Sequence, residues 1–300
     1  MTYGLGTALS HVRTNVRSLL RDNRGEMKVI ALLRRARKHP VLGRVLRFRP
    51  VAVALALMLI MATATATAEA PMGSVIYGKL WDNQQVRLSM PPTDEPQGIA
   101  IFFHGQNGHV DNRMDDPWLQ ALVRSGWIVA ASDFHRDSWG NEASVEDTRQ
   151  LVEWAEQQTG LPVRLYVSGS MGGSVSLNAI THGVKAPACW YGVKPAVDLH
   201  KMDNVPGARH IIRDAFGGRV PTDRNPVDNI DALPTDTRYR FVASPQDTWV
   251  FKSENTDLLM QGLKARGAKV SLLKADGTHD DASHWNAEDL VAFADSCAAG

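Results

Sequence analysis

The stretch Leu165–Ser174, Leu-Tyr-Val-Ser-Gly-Ser-Met-Gly-Gly-Ser, decides how the rest of the chain is read. Leu165, Tyr166 and Val167 have the apolar, bulky character of a buried strand. Small residues then surround Ser170, and a helix is expected from Met171. A serine with small residues two positions away on each side, Ser168 and Gly172, fits the sharp strand-to-helix turn called a nucleophile elbow. In such a turn the serine backbone is strained and its hydroxyl stands above the sheet, so bulky neighbours would clash. The helix that follows aims its N-terminal amides at the same spot, which suits a developing oxyanion. Ser168 stands where the pattern usually has glycine.

A serine nucleophile needs a base to take its proton and a carboxylate to hold that base in the right tautomer. In hydrolases of the elbow type these follow in the order Ser, acid, His. Asp247 comes after the strand expected at Arg238–Ala243, and His279 after the strand expected at Lys269–Lys274. Asp247 would equally cap a turn, and His284 lies close behind His279. The post-strand position favours Asp247, and the Gly277 turn directly after a strand favours His279. Asp133, Asp228, Asp231, Asp280 and Asp281 sit on less suitable loops. The oxyanion donors expected are the amide of Met171 and one from the loop after Phe103. There Gly105 permits a tight turn and Gln106 is the donor, while His104 reads as structural.

Charge divides the chain. Residues 1–50 hold twelve Lys/Arg against Asp22 and Glu26, so the overall net charge of +1 leaves residues 71–300 at about −8. An acidic folded part speaks against a nucleic-acid partner. The basic leader runs into the apolar stretch Val51–Ala62 and then small residues, with Ala68-Glu69-Ala70 or Ala64-Thr65-Ala66 as A-x-A-like cleavage sites. The leader, residues 1–70, therefore reads as a secretory signal, with Met27 as an alternative start. An uncleaved signal anchor is the competing reading, although the apolar run is short of the roughly 20 residues that span a bilayer. Secretion or retention in the cell envelope is the expected location, with membrane contact only through this leader.

From Pro71 onward strands and helices alternate. Val75–Trp81 and Gln85–Met90 form a hairpin pattern, Gly98–Phe103 reads as a central strand, and Trp127–Phe134 as the next. Helices are expected at Asp116-Pro117 onward, Glu142–Gln158, Met171–Thr181, Ala208–Phe216, Glu254–Ala265 and Ala287–Ser296. Ser144 and Asp147 stand in capping-box spacing in the second of these. The pattern implies a mostly parallel α/β sheet with helices on both faces, and ligands beyond the carboxyl ends of its strands. The irregular stretch at about 200–234 reads as a small cap insertion. His279, Asp280, Asp281 and His284 match no metal-ligand spacing with a second cluster, and neither GxGxxG nor a P-loop is present. No metal and no cofactor is expected.

On these residues the chain resembles a known family. Phe102-Phe-His-Gly105, Ser168-Gly-Ser-Met-Gly-Gly173, the late Asp247 and Gly277-Thr-His-Asp-Asp281 are similar to marks of the α/β-hydrolases. The likeness is to secreted esterases and to dienelactone-hydrolase or prolyl-peptidase-like serine hydrolases. The loop Asp133–Asn141 also resembles segments of bacterial secreted hydrolases. The resemblance covers residues 71–300, and implies the α/β-hydrolase fold with Ser170, Asp247 and His279 as a triad. It carries no substrate with it, because the fold hosts many functions.

Trp139, Trp190, Trp249 and Trp285 fall near the same edge; Trp139 and Trp249 are read as walls of an acyl pocket, with ordinary core packing as the alternative. Cys189 and Cys297 make an even pair, which in an oxidising compartment suggests one disulfide between the strand expected within Ala188–Leu199 and the last helix. The expected activity is hydrolysis of a small-molecule or polymeric carboxylic ester. Acyl transfer to an alcohol, peptide cleavage, or non-catalytic binding on a hydrolase scaffold are the alternatives.

Overall fold

The structure is a computed structural model and describes residues 73–298. The basic leader and its cleavage motifs lie outside the described residues. Eight strands form one sheet in the order β1-β2-β4-β3-β5-β6-β7-β8. β1 (Val75–Lys79) and β2 (Gln85–Ser89) are the expected hairpin, and β2 also runs antiparallel to β4 (Trp127–Ser132). All later pairings are parallel, through β3 (Gly98–Phe103), β5 (Val163–Gly169), β6 (Cys189–Val193), β7 (Arg238–Ala243) and β8 (Val270–Lys274).

Alternation along the central strands builds two cores, one on each face. Ile99, Ile101 and Phe103 of β3 face one apolar cluster, and Ala100 and Phe102 face the other. The first cluster is closed by α2 (Glu142–Thr159), α3 (Gly172–Thr181) and α5 (Thr256–Ala265) through Leu151, Val175 and Leu259. The second is closed by α1 (Pro117–Arg124) and α6 (Ala287–Ala298) through Trp118, Leu122, Leu290 and Ala294. A disulfide joins Cys189 at the start of β6 to Cys297 in α6, with 6.1 Å between the Cα atoms. Among the described residues no helix is long and apolar enough to cross a membrane.

Local expectations are corrected in three places. The strand expected to reach Phe134 stops at Ser132, because Phe134, His135 and Arg136 all take positive φ (45°, 53° and 60°) and turn the chain away. Asn141 caps α2, its side chain accepting from the Ser144 amide at 3.1 Å, so the Ser144–Asp147 capping box does not form. Asp147 instead binds His135 at 2.7 Å. Asp116 occupies the N-cap position of α1 without capping it, since its carboxylate is taken by Arg113 at 2.7 Å.

The insertion at 200–234 is a set of short turns around α4 (Ala208–Ala215). Met202, Val205, Ala208, Ile212 and Leu233 pack into the same core as β3 and α3. Asn225 accepts from the Leu199 amide at 2.7 Å, and Asn178 of α3 donates from Nδ2 to the Arg224 carbonyl at 2.8 Å. The insertion is thus stitched to the main body by buried side-chain amides.

Candidate active site

The carboxyl ends of β3, β5, β6, β7 and β8 meet at one place, and the site grows from them. Ser170 is the first residue beyond β5 and has φ +51°, a conformation a non-glycine residue seldom adopts. Main-chain bonds hold it there. Its amide donates to the Val193 carbonyl at 3.0 Å, and its carbonyl accepts from the amides of Gly173 and Ala196 at 2.9 Å each. The turn is also sterically selected. A Cβ on Gly172 would lie 2.2 Å from the Phe103 carbonyl oxygen, so only glycine lets α3 start this close to β3. Ser168, where glycine is usual, finds a place by hydrogen-bonding the Ser176 hydroxyl at 2.8 Å inside the core.

His279 Nε2 stands 3.1 Å from Ser170 Oγ, and His279 Nδ1 stands 2.7 Å from Asp247 Oδ2. The other Asp247 oxygen accepts from the amides of Trp249 and Val250 at 2.9 and 3.1 Å. Burial alone would raise the Asp247 pKa, but the His279 contact and these two amides outweigh it and hold the carboxyl below its ordinary value. An ionised Asp247 fixes Nδ1 as the protonated nitrogen and turns Nε2, the acceptor, toward the serine hydroxyl. His284 makes no hydrogen bond to Ser170 or Asp247: it is buried, and its Nδ1 lies 3.1 Å from the Asp281 carbonyl oxygen.

Gly105 lies against the elbow, close enough that an added Cβ would be 3.6 Å from the Ser170 Cβ. Among the described residues neither the Gln106 amide nor the Met171 amide donates to a protein acceptor. Both donors therefore stay free beside the serine. The Gln106 side chain is anchored away from the site, donating from Nε2 to the Pro206 carbonyl at 2.9 Å. The loop after β4 supports this turn, with Asp137 accepting from the Asn107 amide and Asp133 from the Val110 amide. His104 is buried between the carbonyl oxygens of Gly105 and Asp133, in keeping with a structural part.

A cavity of about 240 Å³ opens over Ser170. Trp249 and Trp285 line it, with Val205 and Pro206 from the insertion. Trp249 lies over the His279 ring with centroids 5.2 Å apart. Trp139 does not belong to this wall. It is wholly buried in the first apolar cluster, as Trp190 is against Tyr239 and Phe241. Trp139 follows a turn and precedes Gly140, which reads as surface, yet its own φ of +51° folds the ring inward.

Two cations on the cavity wall carry no motif in the sequence. The Arg113 guanidinium stacks on Trp285 at 4.1 Å from the ring centroid. Lys194, one residue beyond β6, is 5% exposed; its ammonium donates to the His279 carbonyl and lies 3.7 Å from Asp280. Burial pushes its pKa down to about 8, with Arg113 adding to the fall and Asp280 and Asp247 opposing it. The one signal that would have flagged Lys194 is its place directly after a parallel strand, where ligand-facing residues collect. Among the described residues no group of three or more His, Cys, Asp or Glu side chains is placed to hold a metal ion.

No protein-family model matches the sequence, and no curated protein matches it either. Solved structures do. An esterase/lipase from an uncultured bacterium is similar with a TM-score of 0.63 at 16% identity, over 77% of this chain and 87% of its own. Esterase 2 of Thermogutta terrifontis has a TM-score of 0.57 at 18% identity, over 77% and 95% of the two chains. A Bacteroides ovatus protein assigned as a dipeptidyl aminopeptidase IV has a TM-score of 0.63 at 12% identity over 77% of this chain. The match covers only 36% of that longer protein. At such identities the likeness speaks for architecture. With the strand order and elbow above, it establishes that residues 73–298 adopt the α/β-hydrolase fold.

Proposed function

We propose that the protein is a serine hydrolase that cleaves carboxylic esters through an acyl-enzyme. The observation that carries this reading is the unbroken chain Asp247–His279–Ser170, at 2.7 and 3.1 Å, with two free amides beside the serine. Ser170 Oγ attacks the ester carbonyl while His279 Nε2 takes its proton, and Asp247 stabilises the imidazolium that forms. The Gln106 and Met171 amides hold the oxyanion of the tetrahedral intermediate. His279 then protonates the leaving alcohol, and water attacks the acyl-enzyme by the same route in reverse.

The cavity supports a short acyl group. Its volume is below the roughly 300 Å³ at which drug-sized pockets begin, and Asn107, Asn112 and Arg113 make one wall polar. Small acyl groups on a larger alcohol or polymer fit that shape. The signal-like leader and the Cys189–Cys297 pair both support action outside the cytoplasm, in the envelope or beyond it.

The Thermogutta terrifontis esterase is phosphonylated by sarin, so a fluorophosphonate probe is the natural first test here. Folded protein should be labelled at Ser170, and hydrolyse acetyl and propionyl esters faster than octanoyl ones. Ser170→Ala should abolish labelling and lower kcat on the order of 10⁴-fold or more. Unlabelled folded protein would favour a binding role. Faster cleavage of a peptide amide than of matched esters would favour a peptidase, and acyl transfer to an added alcohol would reveal a transferase.

A further inference from the structure

We propose that Lys194 is a positioning residue that ties the loops bearing Ser170, Asp247 and His279 into one unit, its ammonium holding the histidine turn by the His279 carbonyl. The role rests on the hydrolase reading above and specifies how its three parts are kept in register.

Three contacts converge on one short segment. The carbonyl of Val193, the residue before Lys194, accepts from the Ser170 amide at 3.0 Å. The Lys194 amide donates to the Val242 carbonyl at 2.7 Å, near the end of the strand that leads to Asp247. The side chain then crosses to the third loop, where Nζ donates to the His279 carbonyl and lies 3.7 Å from Asp280. The Trp285 ring, 5.1 Å from Nζ, closes the remaining side. Among the described residues, the main chain of residues 278–281 has no other hydrogen bond to the sheet. The nearest ties are at Ala275 and Gly277, before the histidine.

The arrangement is costly to maintain. Lys194 is non-glycine at φ +43° and buries a charge, two features that persist only where surroundings impose them. The groups facing the ammonium are Asp280 and His279 on the histidine turn, and Asp247 from the loop after β7. His284 and Trp285 follow that turn, and Arg113 comes from the segment before α1. Deprotonation would leave a weaker donor to the His279 carbonyl and abolish the ion pair with Asp280 and the attraction to Trp285.

The test uses Lys194→Met and Asp280→Asn, with kcat, KM and their pH dependence on one short-chain ester. For the parent protein kcat should fall as pH rises through about 8, where the ammonium loses its proton. Lys194→Met should lower kcat about ten- to hundred-fold at pH 7, leave KM within about two-fold, and abolish that alkaline fall. Added ethylammonium should restore part of the activity of Lys194→Ala. Asp280→Asn alters a side chain that is 70% exposed and should move the alkaline fall to lower pH, because the carboxylate favours the ammonium. An unchanged kcat in Lys194→Met, or a loss confined to KM, would overturn the role, the latter making Lys194 a substrate contact. If Lys194→Met does not fold, an unmoved alkaline fall in Asp280→Asn overturns it instead. Failure of the parent protein to react with fluorophosphonate would overturn the hydrolase reading, and this role with it.

Discussion

The turn that carries Ser170 and the turn that carries His279 meet at the cavity, with Nε2 3.1 Å from Oγ, yet they are held by different means. The serine turn is fixed by main chain. Its amide and carbonyl make three backbone hydrogen bonds, and its helix starts where only glycine fits. The histidine turn is fixed largely by side chains from other loops. Gln246 accepts from the Gly277 amide at 2.7 Å, Lys194 donates to the His279 carbonyl, and Asp247 grips the imidazole itself. Backbone clamps tolerate almost any side chain outside the turn. Side-chain clamps fail one substitution at a time, so the histidine half should be the tunable one.

Substitutions at the two turns sharpen that contrast. Short of removing Ser170 itself, the largest effect is expected from Asp247→Asn, which keeps the shape but no longer holds His279 in the tautomer that accepts from Ser170. kcat should fall on the order of 10³–10⁴-fold, about 4–5.5 kcal/mol, with little change in the melting temperature. Next comes Gly172→Ala, aimed at the main-chain clamp. The added methyl would sit 2.2 Å from the Phe103 carbonyl oxygen, so stability should drop by about 3 kcal/mol and activity should go with it. Denaturant unfolding and probe labelling read the two together, and a stable, fully labelled variant would refute the steric account of the elbow.

Paired Cys189→Ser and Cys297→Ser substitutions test a link that serves the scaffold beneath both turns. The bridge spans 108 residues, and its loss should cost about 3 kcal/mol, near 10 °C in melting temperature for a domain of this size. The ester specificity should stay the same. Intact mass two units below the reduced value would report the bond in the native protein. The smallest effect is expected from Gln246→Ala, which frees one amide of the histidine turn. A few-fold loss in kcat with stability changed by about 1 kcal/mol fits a side-chain clamp with other members. A loss as large as that of Asp247→Asn would mean that the two turns are equally brittle.

Much of the fold was legible because its signals are local. β3 and the middle of β5, Leu165–Val167, are apolar runs covered on both faces, and the helices carry apolar faces at helical spacing with recognisable ends. The candidate triad was legible for a related reason: each member comes directly after a parallel strand, so sheet topology alone brings them to one edge. Where reading failed, a competing side chain or a backbone angle decided the outcome. Ser144 and Asp147 have capping-box spacing, but Asn141 reaches the same amide first and His135 claims Asp147. Trp139 looked like a cleft wall until its positive φ sent it into the core.

The sequence by itself determined the parallel architecture, the order of the three polar residues along the chain, and the small residues that let Ser170 occupy its turn. These follow from periodicity and residue size, which act over a few neighbours. Only the tertiary structure decided which tryptophans face the serine, that the 200–234 insertion shares the main core, and that Lys194 reaches the histidine turn 85 residues away. Such contacts depend on how three separate strands end side by side, and no local pattern of residues encodes that distance.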